Sequence, residues 1–167
     1  ICVGLLLLIV LFFAYFERKK PKMHGAVVAS TIAILFFFTS CNSQPQPFKM
    51  GEDACSYCKM TISDNRFGAE LISTKGKIFK FDDTHCIEAF QKENQVPAND
   101  VKEIYLVNFE APHNFIPVQK AFILYNKDLK TPMGGHAVAF ENAAALQKEL
   151  QQLNGKMTTW DSLPTMQ

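Results

Sequence analysis

Two apolar runs open the chain, residues 1–16 and 27–39, and beyond Cys41 the apolar positions fall into short clusters separated by polar and turn-forming residues. Residues 67–73 and 78–81 flank the Gly-containing loop Thr74-Lys75-Gly76-Lys77, which predicts a β-hairpin. Asp82-Asp83-Thr84 then offers N-cap side chains, and Cys86, Ile87 and Phe90 recur at helical spacing, so a helix follows the hairpin. Pro97 closes that unit, and residues 104–109 are rich in β-branched and aromatic side chains, as a further strand requires. The plan then repeats. Residues 121–125 and 137–140 predict two strands around a turn from Asp128 to Gly135, Glu141-Asn142 supplies a cap, and Leu146, Leu150 and Leu153 form a helical stripe. Phe81-Asp82-Asp83 matches Phe140-Glu141-Asn142 at an offset of 59 residues, a weak internal duplication. The expected fold class is α+β: two small related strand–strand–helix units packed together, 53–98 and 99–153, with helices on one side of one or two sheets. Residues 154–167 show no periodicity and read as a loose tail.

The first forty residues have a different character. Residues 1–16 are slightly short for a spanning helix of about 20 residues, start without Met, and belong with 17–22 to a stretch that the true product need not include. Residues 27–39, preceded by Lys22-Met23-His24, have the layout of a secretory signal, with Met23 as a plausible start. Its end, Phe38-Thr39-Ser40-Cys41-Asn42, resembles a bacterial lipobox. On that resemblance Cys41 is lipidated and the domain faces the periplasm as a membrane-anchored lipoprotein; an uncleaved anchor helix is the alternative, and it exports the domain too. Residues 41–52, with Ser43-Gln44-Pro45-Gln46-Pro47, read as an extended, poorly ordered tether.

Composition changes little in this picture except through charge. Of 17 basic and 16 acidic residues, four and one precede Cys41, leaving 13 and 15 and a net charge near −2 for the remainder. Phosphate neutralisation needs a basic patch, so nucleic acid is not an expected partner.

The candidate chemistry is sulfur. Cys55-Ser56-Tyr57-Cys58-Lys59-Met60 places two thiols and a thioether in six residues, and soft ligands select Cu(I), Zn(II) or Fe–S clusters. Lys59 stands where c-type haem attachment needs His, and a zinc ribbon needs a second paired knuckle that is absent from the sequence. A Cys₃His site with His85, His113 or His136, a structural disulfide, and a thiol–disulfide oxidoreductase with Cys55 attacking and Cys58 resolving all stay open. Against the last, Met60-Thr61-Ile62-Ser63 favours extended chain over the helix such a site opens. In extended chain residues i and i+2 share a face, so Cys58 and Met60 can grip one Cu(I) ion, with Cys55 in reserve. Thr131-Pro132-Met133-Gly134-Gly135-His136 is a second cluster, a turn presenting Met133 and His136 as ligand types copper accepts. His85-Cys86 is a third; Cys86, on the helix stripe, reads more readily as a buried core thiol than as a ligand.

Together, Cys41, Asp53-x-Cys55-x-x-Cys58-x-Met60, Phe79-x-Phe81-Asp82-Asp83 and Thr131-Pro132-Met133-Gly134-Gly135-His136 resemble the nitrous-oxide reductase accessory lipoprotein family, NosL, from Cys41 to about Leu153. The resemblance implies a monomeric, non-enzymatic Cu(I) chaperone that serves the copper centres of nitrous-oxide reductase alongside a membrane ABC-type complex. Cys58 and Met60 match the family's Cys-x-Met ligands, and Met133 its Met-Gly segment. Cys55 is less uniform there, and His85, Cys86 and His136 extend the set beyond what the resemblance carries. Lys59 departs from the family pattern by adding positive charge beside a cationic ion.

Overall fold

The structure, a computed structural model, describes residues 44–163. The leader, the signal and Cys41 lie outside the described residues, as do Pro164 to Gln167. Seven strands and two α-helices follow in the order β1 (Ala69–Ser73), β2 (Ile78–Phe81), α1 (Thr84–Lys92), β3 (Val101–Val107), β4 (Phe115–Pro117), β5 (Phe122–Tyr125), β6 (Ala137–Phe140), α2 (Ala143–Gln152) and β7 (Lys156–Thr158). They form two antiparallel sheets, β2-β1-β3-β4 and β6-β5-β7, so the fold is α+β as expected.

Each helix starts where its cap predicts. The Asp83 side chain accepts from the His85 N–H at the start of α1, and the Asn142 side chain accepts from the Ala145 N–H at the start of α2. The two caps keep the offset of 59 residues. In the first sheet Ala69 pairs with Phe81 and Leu106, and Leu71 with Phe79 and Ile104, so these six share one face. Against that face α1 packs Cys86, Ile87 and Phe90, with Phe90 5.2 Å from Phe79 and 5.1 Å from Phe81 between ring centroids. Ile123, Ala137 and Ala139 of the second sheet join the same core, while Leu124, Val138 and Phe140 point the other way onto Ala145 and Leu146 of α2.

Three expectations change. The boundary at 98/99 is not where the units divide: β3 pairs with β1 and β4 with β3, so the first sheet runs on to Pro117, because Ile104 and Leu106 complete the apolar face that β1 and β2 begin. The tail read as loose forms β7, which pairs with β5, and Leu163 is buried in the shared core. The tether read as poorly ordered is packed from Gln46 onward on the other face of the first sheet. There Gln46 N–H donates to Glu70 Oε2 at 2.9 Å, Lys80 Nζ to the Pro47 carbonyl at 3.3 Å, and Phe48 meets Phe115 edge-on at 5.5 Å. Composition shows neither pairing, since both depend on strands distant in sequence.

Candidate metal centre

The cysteine stretch is a turn. Lys59 N–H donates to the Cys55 carbonyl at 3.1 Å, Cys55 N–H donates to the Met60 carbonyl at 2.8 Å, and Ala54 bridges Thr61. Lys59 has φ +65, so residues 58–60 are not extended, and the same-face argument for Cys58 and Met60 does not hold. Met60 folds its backbone back onto Cys55 and leaves its side chain 56% exposed. The Lys59 ammonium donates to the Ser56 carbonyl at 2.6 Å. Neighbours hold the turn at both sides. Ser56 exchanges two hydrogen bonds with Lys80 of β2, at 2.7 and 3.1 Å, and the Tyr57 hydroxyl donates to Glu93 at the end of α1 at 2.8 Å. Asp53, at the base, pairs with Lys80 Nζ at 2.6 Å.

This placement brings Cys55 and Cys58 to the first turn of α1, where Cys86 faces the core. The Sγ atoms of Cys55, Cys58 and Cys86 lie within 4.8 Å of one another, all three as free thiols. Cys86 is therefore both a core residue, as its place on the helix stripe predicts, and a member of the sulfur cluster. Cys55 is 1% exposed, Cys86 fully buried and Cys58 half-buried. Among the described residues no histidine or carboxylate joins the three at that range. Cys55 Sγ accepts from the Cys86 thiol and, against the cost of burial, from the backbone N–H groups of Asp82, Cys58 and Tyr57; together these draw it down to about 5. Hydrogen bonding to the Cys55 thiolate, together with burial, pushes the Cys86 thiol up, and burial raises Cys58. The attacking thiol of the oxidoreductase reading is thus buried while its resolving partner Cys58 is the more accessible, and a turn ending in a left-handed residue follows it rather than a helix.

The histidine candidates stay outside this group of sulfurs. Met133 is half-buried and packs against the core that contains Cys55 and Cys86. His136 Nδ1 lies 2.7 Å from the Leu129 carbonyl, its ring edge-on to Tyr125. His85, the second residue of α1, is half-buried, and His113 Nδ1 sits 3.0 Å from the Asn108 carbonyl. A fully buried carboxylate joins two of these elements: Asp83 Oδ1 accepts from Thr84 Oγ1 and the His85 N–H, and Oδ2 from the N–H groups of Met133 at 2.8 Å and Gly135 at 3.3 Å. The sequence marks Asp83 only as a cap. The signal for more was the comparison with Asn142, since a neutral side chain suffices for capping at the duplicated position.

The family model for NosL matches residues 47–167. The chain belongs to the NosL family. Among solved structures, the NosL chain is similar to one described as the crystal structure of the copper chaperone NosL from Shewanella denitrificans, at 21% identity and a TM-score of 0.62, over 75% of this chain and 98% of that one. At that identity the likeness is one of fold. No curated protein matches the chain.

Proposed function

We propose that this NosL-family chain is a non-enzymatic Cu(I) metallochaperone whose cargo is held by Cys55, Cys58 and Cys86. The three convergent sulfurs carry this reading. A metal–thiolate bond of about 2.3 Å places the sulfurs of a three-coordinate ion about 4 Å apart, within the range that separates them here. Three soft donors suit Cu(I), whereas structural Zn(II) sites take four ligands in a tetrahedron. Half-buried Cys58 is the open side through which cargo exchanges, with the exposed Met60 thioether beside it and Met133 at the core edge as further soft donors. The copper chaperone with which the chain shares its fold supports the cargo.

The finer assignments rest on the sequence motifs. The Cys41 stretch favours a lipid-anchored protein facing the periplasm. The family resemblance favours delivery for assembly of the copper centres of nitrous-oxide reductase, in partnership with a membrane ABC-type complex. Competition between the reduced protein and a chromophoric Cu(I) chelator tests the site. Cys58→Ser and Cys86→Ser are each expected to weaken Cu(I) binding at least about tenfold, since each removes a direct ligand. If both variants bound Cu(I) as the parent does, the three-thiol reading would be wrong.

A further inference from the structure

We infer that Asp83 is the positioning residue that seats the Met133 thioether against the thiol cluster; the inference rests on the Cu(I) reading of that cluster. A single fully buried carboxylate serves two elements at once. Its Oδ1 faces the start of α1, three residues before Cys86, and its Oδ2 takes the N–H groups of Met133 and Gly135 from the turn between β5 and β6. The turn approaches so closely that a Cβ on Gly135 would overlap the Asp83 carboxylate and the Thr84 hydroxyl, and would stand 2.8 Å from the His85 amide nitrogen. Gly134 at φ +75 and His136 at φ +54 turn the backbone around that contact. Fifty residues of chain separate Asp83 from Met133. Across that distance the carboxylate ties the Met133 backbone to the start of α1, the helix that carries Cys86.

The duplication supplies the test. At the equivalent position α2 is capped by Asn142, whose Oδ1 accepts from Ala145 N–H at 2.9 Å. Asp83→Asn therefore keeps a cap for α1 through its one amide oxygen. The amide nitrogen that replaces Oδ2 cannot accept from Met133 and Gly135. Loss of a residue that orients a metal ligand typically weakens metal affinity by about 10–100-fold. The expected result is a loss of Cu(I) affinity of at least about tenfold in Asp83→Asn, nearly abolished when the same change is made in a Met133→Leu background, because the two substitutions then remove one and the same contribution. Gly135→Ala attacks the same contact from the turn side and gives a second arm with the same expectation, whatever the folding yield of the first.

A helix-stability role alone moves both backgrounds equally. Equal losses with and without Met133, or full affinity in Asp83→Asn and Gly135→Ala, overturn the inference. Cys58→Ser, measured alongside, separates the two levels. If it weakens binding while the Asp83 variant does not, only the positioning role fails. If Cys58→Ser binds as the parent does, the cluster reading fails and the positioning role with it.

Discussion

Glu70 is the second residue of β1, fully buried on the face opposite the thiols, with Lys80 and Tyr105 as its cross-strand neighbours. Only Oε2 has a hydrogen-bond donor, the Gln46 N–H; Oε1 finds no partner among the described residues. Burial pushes this carboxyl up to about 7, with the Gln46 N–H and Lys80 acting against the rise. Between about pH 4.5 and 7 the folded chain keeps a proton that the unfolded chain has lost, so stability falls as pH rises through that window. Asp82, raised to about 6 by burial and by the Cys55 thiolate, and Glu88, raised to about 7 by burial and by Asp83, slope the same way. Asp53 and Asp64 are lowered by Lys80 and Arg66 respectively; their contribution is present above the usual carboxylate range and is lost only as pH falls below it. Glu70→Gln retains an acceptor for Gln46 and removes the charge. It is expected to flatten the decline between pH 5 and pH 8 by on the order of 3 kcal/mol, read from urea unfolding at each pH. An unchanged decline would show that Glu70 is not the group responsible.

At the scale of elements, the strap from Gln46 to Met50 shows how a segment without periodicity becomes part of the fold. Phe48 lies where Gly68, just before β1, carries no side chain, and a Cβ there would overlap the Phe48 ring. Its other neighbour is Phe115 of β4. Gly68→Ala is therefore expected to displace Phe48 and to cost about 1–3 kcal/mol, the usual penalty of overpacking. The Gln46 amide should lose hydrogen-exchange protection in the same variant, because the strap lifts as a unit. Undiminished protection at Gln46 would mean that Phe48 does not hold the strap. Helices and hairpins were legible in the sequence because caps, turn glycines and apolar periods act over a few residues, and Asp83, Asn142, Gly76 and the Leu146 stripe lie where those rules place them. The strap and β7 were not, since each is extended chain whose partner lies more than twenty residues away.

For the whole molecule, the second sheet depends on its last strand. β5 and β6 alone would be a two-stranded hairpin, a unit of marginal stability in water. β7 adds the register Ile123↔Thr158, Leu124↔Met157 and Tyr125↔Lys156, Gly155 lets the chain pass against the Leu124 side chain, and Leu163 returns to the core that holds Cys55 and Cys86. Ending the chain after Asn154 should lower unfolding free energy by at least about 2–3 kcal/mol, the contribution of one buried leucine, with a further loss from the edge opened on β5. Chemical denaturation of the shortened protein measures this. A midpoint and slope equal to those of the full chain would contradict the role given to β7.

By itself the sequence determined the α+β plan, both capped helices, the paired hairpins and the concentration of soft donors in a few short stretches. Each follows from side-chain chemistry acting on its own neighbourhood. The tertiary structure decided which donors meet. Cys86 lies 31 residues beyond Cys55 in the sequence, and only the packing of α1 on the first sheet brings its thiol to the turn of Cys55 and Cys58. The Asp83 carboxylate that reaches Met133 depends likewise on a contact that closes over a long loop. A stripe position and a ligand position look alike along the chain; they part only when a helix face is set against particular neighbours.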